Sequence, residues 1–301
     1  MAVHTLLVDA LPAVPVRDQF APAKAAFLVA IHLAMIATLW QTNWPAIAVC
    51  LLLHALCGGL GICVGYHRLL THRSFKCHKA LEYGLALLGS LCVEGGPIDW
   101  VAHHRQHHQY ADKPEDPHSS RDGFWWSHVM WMMWTPDRES WQELKQRYAP
   151  DLLRVPFYRF LGNTYVWLSL LLAAGLYLIG GWPFVVWGMV VRLVLTYHCT
   201  FLVNSAAHTF GYKNFDLDDL STNCWWAALL SYGEGWHNNH HAFPTSARHG
   251  LRPWELDLSY GFIRLLKTLG LAWDLRIPSI EKLKFDFSKG PARPEPHIDR
   301  A

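Results

Sequence analysis

An all-α integral membrane protein, four transmembrane helices carrying a cytosolic helical cap, is the fold class this sequence predicts. Three observations lead there. Of 301 residues, 51% are hydrophobic and only 17% charged, a low charge for a soluble chain of this size. Four segments are apolar over about the 20 residues needed to cross a hydrocarbon core. The 19 histidines gather beside the ends of those segments rather than scattering along the chain.

Residues 1–24 read as a cytosolic tail: Asp9, Arg17 and Asp18 precede the first apolar run, and no small-residue cleavage site of a signal peptide follows it. The spans lie at about 25–42, 46–66, 163–182 and 183–203. A shorter apolar stretch from Ala80 holds Glu82 and Glu94 and reads as a helix buried in protein or lying at the interface. The links "QTNWP" and "GGWP" carry no charge, whereas lysine and arginine fill the tail, residues 67–162 and the C-terminal third. The positive-inside rule therefore places both termini and both large segments in the cytoplasm. Residues 25–285 form one membrane domain, and the Pro-rich 286–301 is expected to be disordered. A net charge of +2 without a basic run excludes nucleic acid as a partner. Seven cysteines without CxxC spacing read as reduced, buried thiols.

The histidines sort by topology. His67 and His72, in "HRLLTH", follow span two; His208, in "NSAAH", follows span four. His104, His107 and His108 in "HRQHH", and His237, His240 and His241 in "HNNHH", repeat at i, i+3 and i+4, the spacing that gathers side chains on one helical face. Nine imidazoles on one side of the membrane exceed one tetrahedral site and suit two metals, although imidazole alone does not name the metal. Glu94, Asp99, Asp112, Asp116, Asp219 and Glu234 are candidates to orient the rings from behind.

The motifs "HRLLTHRSF", "HRQHH" and "GEGWHNNHHAF", with "GGPIDW", "DPHSSRDGFWWSHVMWM" and "LVNSAAH", resemble the histidine boxes of membrane fatty-acyl desaturases. The likeness is greatest to the Δ9-type of bacteria and cyanobacteria, related to animal stearoyl-CoA desaturases, and spans roughly residues 45–275. It implies a diiron centre in the cytosolic cap of a bacterial inner or cytoplasmic membrane protein, with O2 as co-substrate and a cis double bond as product. One iron is expected on His67, His72, His104, His108 and His241. The other is expected on His107, His208, His237 and His240, with Asn204 reaching it through a water. His103 falls outside the pattern. His32, His54 and His198 are lone membrane histidines, the last a packed or tunnel-lining one.

An unactivated methylene has no acidic proton, so the cofactor carries the hard step and the protein supplies position. Trp100, Thr200, Phe201 and Trp236 are candidate walls of an acyl tunnel. Ala55 and Gly59, four residues apart upstream of His67, are candidate limits for the acyl tail. Acyl-CoA members of the family carry basic and polar residues where this chain has Ala102-His103 and Thr135-Pro136, which favours an acyl-lipid over an acyl-CoA substrate. No iron–sulfur or cytochrome signature appears in the sequence, so a separate donor (ferredoxin, rubredoxin or a small cytochrome) is expected, with Arg248, Arg252, Arg264, Lys267 and Arg276 as its docking face or as a lipid-headgroup contact. Two other readings share parts of the pattern. A diiron membrane hydroxylase or ketolase would keep the boxes but differ in their flanks. A haem-binding electron carrier would need paired histidines inside facing spans.

Overall fold

The computed structural model describes residues 18–279. Most of the N-terminal tail and the whole 286–301 tail lie outside them. Strand β1 (Asp18–Phe20) leads into helix α1 (Pro22–Ala34), which Pro22 opens and a 3₁₀ turn (Met35–Leu39) prolongs. Helix α2 (Trp44–Thr71) starts two residues before the predicted span, where the Asn43 side chain accepts from the Ala46 amide at 2.8 Å. It also runs past Tyr66, so that His67 stands on the helix itself.

From Ala55 to Thr71 α2 winds in wide π turns, its i→i+5 bonding continuing to the His72 amide on the His67 carbonyl. Such turns put more residues in each revolution and concentrate at functional sites. Helix α3 (Lys79–Ser90), the expected buried helix, crosses α2 where Gly61 meets Gly89: a Cβ on Gly61 would fall 2.3 Å from the Gly89 nitrogen. Strands β2 (Lys76–Cys77) and β4 (Ala272–Trp273) pair antiparallel, Lys76 opposite Trp273. β1 pairs with β3 (Trp134–Pro136), Gln19 opposite Thr135.

Helix α4 (Pro97–Tyr110), the short α5 (Phe124–His128) and α6 (Arg138–Tyr148) precede the second apolar pair. That pair begins as α7 (Pro156–Val185) and continues through a π segment (Val186–Val191) into α8 (Arg192–Ser205). Among the described residues, three helices are long and apolar enough to cross a membrane: Pro22–Leu39, Trp44–Thr71 and Pro156–His208. The third has 53 residues, about 80 Å if straight at 1.5 Å per residue. It is not straight. Gly181 leaves helical geometry (φ 65°, ψ −157°), Pro183 follows it, and Gly188 comes back against Leu176. The link "GGWP" is therefore a break within one helical run, whereas "QTNWP" separates α1 and its 3₁₀ turn from α2. Leu171, Leu178, Ile179 and Trp44 face outward, fully or largely exposed, as lipid-facing side chains do.

Three further helices follow: α9 (Trp225–Leu230), α10 (His237–Ala242) and α11 (Leu258–Thr268). α11 lays Ile263 and Leu266 on Val64, Leu69 and Phe75. All seven cysteines are buried and free. Arg192, in the apolar run, is fully buried and donates to the Gly188 carbonyl at 2.9 Å and the Leu91 carbonyl at 2.8 Å. A charge there is costly unless it faces protein. Arg192→Leu strands the Leu91 carbonyl, at about 1–3 kcal/mol. Folded yield and thermal midpoint in detergent should drop, while the product of the surviving protein stays the same.

Candidate metal centre

Four chain segments bring nine imidazoles together. α2 carries His67 in its last turn, with His72 capping it one π turn on; α4 carries His104, His107 and His108; the 3₁₀ turn after α8 ends in His208; α10 carries His237, His240 and His241. Their nitrogens form two groups: His67, His72, His104, His108 and His240 in one, and His107, His208, His237 and His241 in the other. The expected partition had His240 and His241 exchanged. Helix geometry explains the correction. At about 100° per residue, position i+4 stands roughly 40° from i, and i+3 about 60° to the other side. The i, i+4 pairs His104/His108 and His237/His241 each share a group, and the middle residue of each box turns to the other.

Facing Nε2 atoms lie close: His104–His108 3.1 Å, His108–His240 2.9 Å, His67–His240 3.1 Å, His237–His241 3.0 Å and His107–His241 3.4 Å. Ligands 2.0–2.1 Å from a tetrahedral metal would stand about 3.3 Å apart. The Nδ1 atoms of His107, His208 and His241 donate to Asp116 (2.9 Å), Asp112 (2.8 Å) and Asp219 (2.9 Å). Neutral rings held that way present bare Nε2 lone pairs. His107 and His241 then aim two lone pairs at each other, and His208 Nε2 is buried without a partner. A cation between them resolves both, so the donor set fits a metal. Burial, followed by neighbouring histidines, holds His72, His104, His108, His237 and His240 well below the ordinary imidazole range. They are neutral, as ligands must be. For His107 burial pulls the same way, but Asp116 with Asp112 and Asp219 outweighs it and raises the ring, so that pocket favours positive charge.

Behind the five-histidine group, Glu234 Oε2 lies 2.7 Å from His67 Nδ1, off the line of a hydrogen bond. Of the six carboxylates expected to orient rings, Asp112, Asp116 and Asp219 do so by hydrogen bonds, and Glu234 lies against His67 without one. The other two are corrected: Asp99 meets Lys145 at 3.5 Å, and Glu94 accepts from Trp100 Nε1 (3.2 Å) and Thr200 (3.1 Å). Burial pushes the Glu94 carboxyl up to about 7, the two donors acting against it. Sequence reasoning missed Arg68, fully buried between Glu234 and Asp257, and His249, buried 3.1 Å from Glu234. The signal for Arg68 was a charge next to a ligand at the end of an apolar helix.

A cavity lined by His67, His104 and His237 runs along α2 past Ile62, Cys63 and Gly58 to His54 and Thr196. Of the candidate walls, Trp100, stacked on His104 at 5.0 Å, and Thr200 line it, and so does Asn204, which was expected to reach a metal through a water. Two expected wall residues do not. Phe201 stacks on Tyr197 in the core beside α1, and Trp236 turns its indole to the Leu256 carbonyl at 2.8 Å. Ala55 and Gly59 line a second cavity with Leu56, Leu60 and Leu258, Tyr232 standing between the two. The wide turns are the reason: positions 54, 58, 62–63 and 67, four to five apart, share the face that an α-helix would give to another set.

The lone membrane histidines are not alone. His54 bonds Thr196 at 3.0 Å, and His198 links His32 (3.1 Å) to His128 (3.0 Å) away from the cavity. His103 rests on Trp141 at 4.5 Å, clear of the centre. His104→Ala should therefore lower the metal content of purified protein, by more than the 10–100-fold affinity loss typical of an outer partner. His103→Ala should leave metal content within error, and equal losses from both would contradict the placement of α4.

Comparison with known proteins agrees with this geometry. A family model described as fatty acid desaturase matches residues 42–259. The chain is 48% identical over 254 residues to the sn-1 stearoyl-lipid 9-desaturase of Anabaena variabilis, covering 83% of this chain and 92% of that one. It is 47% identical over 247 residues to the sn-2 palmitoyl-lipid 9-desaturase of Nostoc sp. strain 36, covering 82% and 87%. It is also 46% identical over 264 residues to an acyl-CoA C20 Δ5-desaturase of Anemone leveillei, covering 87% and 84%. With nine histidines gathered in two groups, three of them lining an apolar cavity, and the family match spanning most of its length, this chain belongs to the fatty acid desaturase family.

Proposed function

We propose that this protein is a Δ9-type acyl-lipid desaturase, an oxidoreductase that inserts a cis double bond into a saturated acyl chain of a membrane lipid. The observation that carries the reading is the convergence of bare imidazole nitrogens beside an apolar cavity that runs along α2. Two irons held there, one by each histidine group, would supply the O2-dependent oxidation of an unactivated methylene. The chain's own residues do the positioning. Trp100 and Thr200, tied through Glu94, fix the wall beside His104, and Ile62, Cys63, Cys199 and Val203 offer an acyl chain apolar contact and no water.

The apolar run Pro156–His208, folded back at Gly181, supplies two of four traverses in this reading, with the histidine cap on the cytosolic side. The acyl carrier is read from the cap. Thr135–Pro136 are paired with Gln19 and Asp18, and His103 is flanked by Trp131 and Trp141, where acyl-CoA members carry head-binding charges. That supports a glycerolipid. Electrons come from a separate small donor. Arg264, Lys267 and Arg276 are exposed and available to an acidic partner, whereas Arg252 is buried against Asn214 at 2.7 Å and leaves the expected docking face.

Expression in a host lacking unsaturated acyl chains, with mass spectrometry of separated lipid classes and of acyl-CoA, tests the whole reading. Double bonds arising at carbon 9 within intact glycerolipids are expected; appearance first in the acyl-CoA pool would reverse the carrier, and no double bond would reject the function.

The floor of the cavity gives a second expectation. A Cβ on Gly58 would meet His54 Nδ1 at 3.3 Å and Thr196 Cγ2 at 3.4 Å, whereas one on Gly59 meets the Tyr232 ring at 3.3 Å. Gly58→Leu should fill the end of the cavity and shift product severalfold from stearoyl toward palmitoyl chains, the double bond staying in place. Gly59→Leu should move chain length less. Chain-length profiling of both variants decides it; a larger shift from Gly59→Leu would return the tail to the Ala55–Gly59 side of Tyr232.

A further inference from the structure

The two histidine groups differ in what stands behind them. In the group of His107, His208, His237 and His241, three rings donate Nδ1–H to Asp116, Asp112 and Asp219. Only His237 Nδ1 lacks a partner. In the group of five, His67 alone meets a carboxylate, Glu234, and the contact is off-line. Glu234 is also shared. Arg68 reaches its Oε1 through Nε (3.1 Å) and a terminal nitrogen (3.0 Å), and His249 stands 3.1 Å from its Oε2. Arg68 is itself fixed, fully buried, by Asp257 at 2.9 Å and the Ala247 carbonyl at 2.8 Å. Near the four-histidine group Arg121 and Lys213 bond the backbone carbonyls of Asp112 and Asp219 rather than their carboxylates.

We propose that the two metal positions are unequal: the four-histidine position binds its divalent cation first and more tightly, and Arg68 is the positioning residue that keeps the five-histidine position weaker. A carboxylate behind an imidazole makes its far nitrogen a better donor, and each such partner is worth about 10–100-fold in metal affinity. Three aligned aspartates face one misaligned glutamate whose charge Arg68 offsets. The fifth imidazole works in the opposite direction but adds little for a cation satisfied by four ligands, as zinc is. The inference rests on the dimetal reading of the site, not on the substrate.

Zinc titration of chelator-stripped protein against a chromophoric chelator tests it without turnover. Wild type should bind two zinc ions in steps separated by at least about 10-fold. His237→Ala should remove the tighter step, and His72→Ala the weaker. Asp116→Asn or Asp219→Asn should weaken only the tighter step, by about 10–100-fold. Arg68→Gln should strengthen the weaker step and narrow the gap. If that buried substitution does not fold, the aspartate variants, which leave Arg68 in place, decide the inequality. Two equal steps, loss of the tighter step in His72→Ala, or aspartate variants that weaken the looser step would overturn the proposal. Binding of fewer than two zinc ions by wild type would instead reject the dimetal reading on which it rests.

Discussion

The histidine centre rests on one electrostatic constraint: unprotonated imidazole nitrogens must be held facing one another, a few ångströms apart, away from water. Left to themselves such lone pairs repel, and burial of an unpaired acceptor costs free energy. The structure meets that cost from behind. Asp112, Asp116 and Asp219 each take the Nδ1–H of one ring, which fixes the tautomer and leaves the other nitrogen bare. The aspartates are held in turn. The Asp112 and Asp116 carboxylates accept the Leu220 and His118 amides, and Asp219 accepts the Ser221 amide and hydroxyl. The loops between the histidine boxes exist to hold these acids.

The same constraint shapes the membrane part. His67 must stand at the top of an apolar helix and point into the cap, while the face below it walls a cavity. Wide π turns over Ala55–Thr71 align His54, Gly58, Ile62, Cys63 and His67 along that cavity. Glycines at 61 and 89 let α3 approach closely behind it. The far end is polar: Thr196 donates to the Arg192 backbone carbonyl at 2.8 Å and accepts from His54, which fixes both side chains at the cavity floor.

The nine histidines were legible because metal chemistry forces residue type, and helix spacing forces position. Their grouping was legible in principle, since i and i+4 share a helical face more closely than i and i+3; the expected pairing of His241 with the first box overlooked that angle. Phe201 and Trp236 looked like wall residues because aromatic side chains beside a site have two uses, packing and lining, that composition does not separate. Arg68 was visible as a residue and opaque as a role, because both carboxylates it joins lie more than 150 positions away in sequence.

By itself, then, the sequence determined the helical membrane class, the long apolar runs, the histidine set and most of the acids behind it. Each of these follows from local composition or from spacing within a turn or two of helix. Tertiary structure alone decided which face of α2 lines the cavity, because a π turn changes the repeat without changing the residues. It alone decided how the last apolar run folds back at Gly181, and that the two histidine groups are backed by unequal charge. Charges act through space and not along the chain, so that inequality exists only once Glu234, Arg68 and Asp257 meet.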